Sequence, residues 1–302
     1  MTKILSKEAF HKASGFIKEN ARPIDQAIFA LYFEQGSKAE VEKAIKSFQN
    51  EDGGFGNCLE PDFRLADSSA LATTLAFKIL IDAEIDAESE IVKDGVNYLV
   101  KSYGENGWEP VPKPIDEVPR APWWQYAHWA NREGPSWLNP NAEVLSVLIH
   151  YRSLVPEEIL ESLQAKVDAI FEAKPEKLEM HDFLATLPLA ERTSGEYQEK
   201  LYGLLSNHVQ NVVAFDEESW GSYGLKPYWV CETPQSPLLS SLGDAAERSL
   251  DYEIENQGED GSWAPNWAWG QFEDVWPQAK KEWQGQLTVK VLKALKAFGK
   301  ID

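Results

Sequence analysis

Two segments of the chain concentrate side chains that are suited to acid–base chemistry on a bound ligand. The first, residues 60–67, contains Glu60, Asp62 and Arg64, and the second, residues 123–133, combines tryptophans with a histidine, an arginine and a carboxylate. Pairs of carboxylates transfer protons in glycoside hydrolysis, and indole faces provide apolar surface on which a sugar ring can lie. These two segments together form our candidate site.

We assign roles within the candidate site by residue type. Catalytic roles are predicted for Asp62, His128 and Glu133, and ligand contacts for Glu60, Arg64, Trp123, Trp124, Trp129 and Arg132. Asp62 lies a few residues before a helix predicted to start at Asp67, which would place its carboxylate at the mouth of a cavity. The alternative is structural, with His128 as a hydrogen-bonded structural residue, loop tryptophans packed inward and arginines in surface ion pairs.

The sequence does not identify a cofactor, and no pair of potential metal ligands has a diagnostic spacing. A zinc site would need Cys231 together with His181 or His208, residues that are scattered along the chain. Other basic residues on the loops, Arg120 and Lys226, would neutralise an anionic ligand group or form ordinary ion pairs. We therefore predict a small-molecule ligand and no metal.

The composition limits the possible partners. The 302 residues include 29 basic and 49 acidic side chains, a net charge of -20, which repels a nucleic acid backbone. No run is apolar enough for membrane insertion, and the first residues do not resemble a signal peptide. With only two cysteines, the chain is expected to be soluble and cytoplasmic. The sequence leaves the oligomeric state undetermined.

Apolar residues recur at helical spacing almost throughout, which predicts an all-α fold of about twelve helices in a single domain, residues 1–302. A capping box at Ser37 and Glu40 predicts the start of the third helix, and Asp67 is predicted to cap the fourth. The last helix is expected at 284–298. Four long connections, residues 50–66, 103–139, 214–234 and 258–283, contain all 12 tryptophans.

Three of these connections begin with a related signature. The signatures are Gln49-Asn-Glu-Asp-Gly-Gly-Phe55, Tyr103-Gly-Glu-Asn-Gly-Trp108 and Gln257-Gly-Glu-Asp-Gly-Ser-Trp263. With the preceding Lys93-Asp-Gly-Val-Asn-Tyr-Leu99 and Tyr252, they resemble the QW repeat of squalene and hopene cyclases. In such repeats the glutamine amide ties a helix to the loop and the indole packs on it, so we expect the signature residues to be structural.

The resemblance implies the fold of the terpenoid cyclase and protein prenyltransferase superfamily. That fold is an α/α toroid of six hairpins in two layers, here with the long tryptophan-rich loops at one end. An apolar or isoprenoid-like ligand in a central cavity would follow. However, no Asp-Asp pair occurs in the sequence, so the acidic motifs of the terpene cyclases are missing. Two alternatives remain: a carbohydrate-active toroid, such as a glycoside hydrolase or a lyase, and a non-catalytic protein-binding scaffold.

Overall fold

A computed structural model describes residues 3–130 and 133–302. Within these ranges the regular structure is helical, and extended segments meet only in isolated bridges, which confirms the predicted all-α class. The α-helices are α1 (Lys7–Asn20), α2 (Pro23–Phe33), α3 (Lys38–Ile45), α4 (Ala70–Asp82), α5 (Glu90–Ser102), α6 (Leu138–His150), α7 (Glu157–Glu172), α8 (Met180–Arg192), α9 (Gly195–Val212), α10 (Pro227–Val230), α11 (Leu239–Leu242), α12 (Ala245–Glu255) and α13 (Trp276–Ala297). Among the described residues, no helix has the length and apolar character needed to cross a membrane.

The chain divides into two compact units. Unit 1 comprises Met1–Ala44 and Val213–Asp302, and unit 2 comprises Ile45–Val212. The single domain expected from the chain length stays a prediction.

Unit 1 joins the two ends of the chain around α13. This helix packs on α1, α2 and α12, and its buried residues include Leu292 and Leu295. The amide of Leu5 donates to the carbonyl oxygen of Lys300 at 2.8 Å. The N- and C-terminal segments therefore share one apolar core, to which Trp263 also belongs.

Unit 2 is organised around α6, which packs on α4, α7 and α8. Val144, Leu145, Val147 and Leu148 are all fully buried, so apolar side chains leave this helix in several directions. A helix that is apolar on all sides belongs in the interior. The loop that precedes α6 carries the tryptophans of the second candidate segment.

The ends of three helices test the expected boundaries. The capping box is confirmed, because the amide of Ser37 donates to Glu40 Oε2 at 2.7 Å and the Glu40 amide donates back to Ser37 Oγ. The predicted cap at Asp67 is wrong: Ser69 Oγ accepts from the amide of Ala72, and α4 begins at Ala70.

The last helix begins at Trp276, eight residues before the expected start at 284. A proline in its first turn suits a helix start, because the missing N–H would have no partner there. Trp276 and Trp283 therefore belong to α13 and not to a loop.

Two of the signature loops are held by the same glutamine contacts. Gln49 Nε2 donates to the carbonyl oxygens of Gly53, at 2.8 Å, and Ile91, at 3.0 Å. Gln257 Nε2 donates to those of Gly261, at 2.9 Å, and Ala9, at 3.0 Å. Each glutamine thus ties its own turn to a neighbouring helix, α5 or α1, which gives it a structural role.

A second contact anchors the end of each signature. The amides of Phe55 and Trp263 donate to the threonine hydroxyls of Thr73 and Thr288, both at 3.0 Å. In the middle signature, the amide of Trp108 donates to the side-chain oxygen of Asn141 at 2.8 Å. The acceptors lie on α4, α13 and α6, so each loop is fixed to the helix that follows it.

Replacing Gly261 by alanine is expected to destabilise unit 1. The glycine has a φ of +87°, and an added Cβ would lie 2.4 Å from the backbone carbon of Lys12. Gly270 is a matched control, because its φ is +64° but no heavy atom lies within 4 Å of an added Cβ. The control should lose about 1–2 kcal/mol from the left-handed backbone alone. Gly261→Ala should lose about 1–3 kcal/mol more from the clash, and urea unfolding would measure both. Equal losses would contradict the close packing of the turn on α1.

Candidate functional site

The two candidate segments meet within unit 2. The amide of Ala121 donates to the carbonyl oxygen of Asp62 at 2.9 Å, and Phe63 forms a bridge with Arg120. The ring of Phe63 lies edge-on to Trp124, with 5.6 Å between the ring centres. The aromatic pair therefore joins the two segments directly, while the backbone contacts tie the first segment to residues 120 and 121, just before the second.

The predicted catalytic residues differ in exposure. Asp62 lies in a packed turn and is only 2% exposed, whereas His128 and Glu133 are exposed. His128 ends a short 3₁₀ helix, Tyr126–His128. Their catalytic roles stay predictions.

The tryptophans of the second segment form a stacked group. Trp124 and Trp129 stack with ring centres 5.3 Å apart and planes 25° from parallel. Trp129 Nε1 donates to the carbonyl oxygen of Trp123 at 2.7 Å. Trp124 is buried, and its indole N–H has no hydrogen-bond partner among the described residues. Trp124 therefore supports Trp129, which is only partly buried.

A cavity of about 560 Å³ lies beside Trp129. Its lining includes three tryptophans, Trp108, Trp129 and Trp137, and two carboxylates, Glu109 and Glu133. The other polar lining residues are three asparagines, one serine and one lysine: Asn106, Asn139, Asn141, Ser136 and Lys166. Flat apolar faces therefore stand next to hydrogen-bonding groups of both kinds, donors and acceptors.

Hydrogen bonds hold the aromatic walls of this cavity in place. Trp137 Nε1 donates to the carbonyl oxygen of Asn106 at 2.6 Å. Asn141 Nδ2 donates to the carbonyl oxygen of Trp137 at 2.8 Å, while its Oδ1 accepts from the amide of Trp108. Lys166 Nζ donates to the carbonyl oxygen of Glu105 at 2.6 Å and lies 5.6 Å from the centre of the Trp137 ring. Ligand binding would thus require little ordering of these groups.

The cavity includes some of the predicted site residues and not others. Trp129 and Glu133 line it. The lining does not include Glu60, Asp62, Arg64, Trp123, Trp124 or His128. Arg132 lies outside the described residues.

Sequence reasoning missed several residues of the cavity wall. Trp108 and Trp137 both lie in the predicted loop 103–139, so the density of tryptophans there was a usable signal. Lys166 on α7 gives no such signal, because it looks like any lysine on the polar face of an amphipathic helix.

Burial shifts the pKa of several ionisable groups of unit 2, among them Tyr98 and Glu143. Burial raises the pKa of the Tyr98 hydroxyl to about 12, and the charge of Asp52 acts in the same direction. Burial also raises the pKa of the Glu143 carboxyl on α6, against the opposing charges of Arg192 and Lys78. Tyr98 therefore remains a neutral hydroxyl at physiological pH.

The other two basic residues predicted to meet an anionic ligand group, Arg120 and Lys226, both lie next to carboxylates. Arg120 Nη2 lies 2.9 Å from Asp116 Oδ1, and Lys226 Nζ lies 2.6 Å from Glu253 Oε1. Both cations are thus engaged in ion pairs. Among residues 3–130 and 133–302, no three potential ligands of the His, Cys, Asp or Glu types are grouped so that they could hold a metal ion.

Comparison of the sequence with protein-family models and with curated proteins gives no match. A functional assignment therefore has to rest on the chemistry of the site itself.

Proposed function

We propose that the protein binds a carbohydrate in the cavity of unit 2. The observation that carries this proposal is the lining, in which three tryptophans stand beside Glu109 and Glu133 and several amides. The volume of about 560 Å³ lies within the range of ordinary ligand pockets, roughly 300–1,000 Å³. Indole faces would stack on sugar rings, and the polar groups would bond to hydroxyls.

The polar lining favours a sugar over an isoprenoid chain. A hydrocarbon placed against Glu109, Glu133 and Asn106 would displace water from these side chains without offering hydrogen bonds in return. Leaving such groups desolvated and unpaired costs about 1–3 kcal/mol each, and more when they are charged. Sugar hydroxyls donate as well as accept, so they can replace that water.

The finer details of the fold and cellular location remain our proposals. The sequence resemblance implies an α/α toroid, and the matching contacts of Gln49 and Gln257 support a repeated hairpin. A cytoplasmic location and the exclusion of nucleic acid rest on the composition, a net charge of -20 with two cysteines.

Replacing Trp129 by alanine should weaken saccharide binding about 10- to 100-fold. Loss of a buried aromatic contact is worth about 1.5–3 kcal/mol, and each 1.4 kcal/mol changes affinity tenfold. Calorimetric titration with gluco-, xylo- and manno-oligosaccharides would measure the affinity. Trp276→Ala is a matched control, because this partly buried tryptophan lies in unit 1. Its affinity for the same saccharides should equal that of the wild type.

Farnesol provides the contrasting probe. Binding of farnesol together with failure of every saccharide to bind would refute the carbohydrate proposal and support an apolar ligand. A Trp129→Ala variant that binds saccharides as tightly as the wild type would place the sugar site elsewhere.

A further inference from the structure

A second, smaller cavity adjoins the first one in unit 2. Its volume is about 240 Å³, and its lining includes Ser68, Ser69, Tyr98 and Ser102. It shares three consecutive residues with the larger cavity, Gly107, Trp108 and Glu109. Both cavities therefore border one short stretch of chain, the dividing segment 107–109.

We infer that the ligand is an oligosaccharide that occupies both cavities and crosses the dividing segment beside Glu109. This inference rests on the proposed function and adds to it the length of the ligand. A cavity of about 240 Å³ is smaller than the roughly 300 Å³ at which ordinary ligand pockets begin. Its position suits an extension of the larger site rather than an independent one.

Hydrogen bonds and close packing hold the dividing segment in place. The backbone amide of Trp108 donates to Asn141 Oδ1. Its indole N–H donates to Ser102 Oγ at 3.0 Å and to the carbonyl oxygen of Leu99 at 3.2 Å. At Gly107, φ is +85° and an added Cβ would lie 2.0 Å from Asn141 Oδ1. The segment is therefore packed closely on Asn141 of α6, and a ligand that fills both cavities would pass over it.

Glu109 is the group that a crossing ligand would meet. Its side chain is exposed and borders both cavities, whereas Trp108 beside it is buried. A carboxylate is an acceptor only, and hydroxyls on two consecutive sugar units can both donate to its two oxygens. Glu109 is therefore placed to bind the junction between two units.

The smaller cavity favours an uncharged sugar unit. Its polar lining consists mainly of hydroxyls, those of Ser68, Ser69, Ser102 and Tyr98, and none of the described residues that line it is a lysine or an arginine. Ser68 Oγ donates to Asp52 Oδ1 at 2.7 Å, and Ser69 Oγ caps α4, so both are held in position. An acidic sugar would therefore meet no lysine or arginine among these described lining residues to neutralise its charge, and it would lie close to the carboxylate of Glu109.

The test is a series of neutral oligosaccharides of increasing length. Wild-type protein would be titrated calorimetrically with cello-, xylo- and malto-oligosaccharides of one to six units. We expect at least one series to gain tenfold or more in affinity with length and to level off once both cavities are filled. Affinity that is the same for all lengths would overturn the inference while leaving the proposed function intact. Failure of every saccharide to bind would overturn both.

Two variants locate the gain in affinity. Tyr98→Ala, which removes a ring from the smaller cavity, should reduce the affinity for the longest oligosaccharide to about that of the shortest one that binds. Trp129→Ala in the larger cavity should reduce the affinity for every length. If both variants reduce the affinity by the same factor for oligosaccharides of every length, the smaller cavity is not a separate subsite. Should Tyr98→Ala not fold, the wild-type length series still decides the question.

Discussion

Replacing Trp263 by alanine is expected to lower the free energy of unfolding by about 3–5 kcal/mol, the usual cost of truncating a buried aromatic residue. Trp263 is 4% exposed and belongs to the apolar core of unit 1 with Leu287 and Leu292. Its Nε1 donates to the carbonyl oxygen of Glu253 at 2.9 Å, and its amide donates to Thr288 Oγ1. Urea unfolding followed by circular dichroism would measure the loss.

The variant Trp263→Phe separates the contribution of the buried ring from that of the indole hydrogen bond to Glu253. Phenylalanine retains much of the ring but cannot donate to Glu253, and the first signature carries Phe55 at the corresponding position. We expect the free energy of unfolding to fall by about 1–2 kcal/mol, which is about the value of one buried hydrogen bond together with a small change in packing. An alanine variant as stable as the wild type would disprove the structural role of Trp263.

Local chemistry made part of the fold predictable. The helical period alone indicated the all-α class, because every helix has to bury an apolar face. The capping box of Ser37 and Glu40 was readable because both partners lie within one turn of the same helix. Hydrogen bonds to Ser37 also lower the pKa of the Glu40 carboxyl, which agrees with this cap.

The start of α4 depends on contacts that are distant in sequence. Asp67 and Ser69 are both good capping residues, and only two positions separate them. The amide of Ser69 donates to the carbonyl oxygen of Phe55 at 3.1 Å, which holds the chain extended up to Ser69. The helix therefore begins after Ser69, and no rule based on neighbouring residues would select this position.

Only part of the candidate site was predictable, because some of its residues depend on contacts that are distant in sequence. Trp129 and Glu133 lie in a segment whose composition already indicated ligand binding. Asn141, in contrast, joins the backbone of Trp108 to that of Trp137 from within a helix, and its sequence neighbours give no sign of this role. The walls of the cavity form only when the loop and α6 come together.

Replacing Lys226 by methionine is expected to cost about 3–5 kcal/mol, because it would leave a carboxylate without its cation in the core of unit 1. Lys226 Nζ and Glu253 Oε1 are 2.6 Å apart, with side-chain exposures of only 13% and 5%. The pair lies beside Tyr228, which is fully buried. Burial and the charge of Glu253 raise the pKa of the Tyr228 hydroxyl well above its usual value. The ammonium group of Lys226 also lies over the Tyr252 ring, with Nζ 5.2 Å from the ring centre, and methionine would lose this cation–π contact.

The double variant Lys226→Met with Glu253→Leu should recover much of this loss, since no buried charge is then left without its partner and apolar side chains can occupy the space. Lys12→Met is the matched control, because Lys12 and Glu8 form a pair on the surface of α1 at 3.3 Å with side-chain exposures of 54% and 82%. An exposed pair of this kind contributes at most about 1 kcal/mol. Urea unfolding of the four proteins, including the wild type, would measure these differences. If Lys226→Met cost no more than Lys12→Met, water would have to reach Glu253 freely, and the ion pair would not be a buried element of the core.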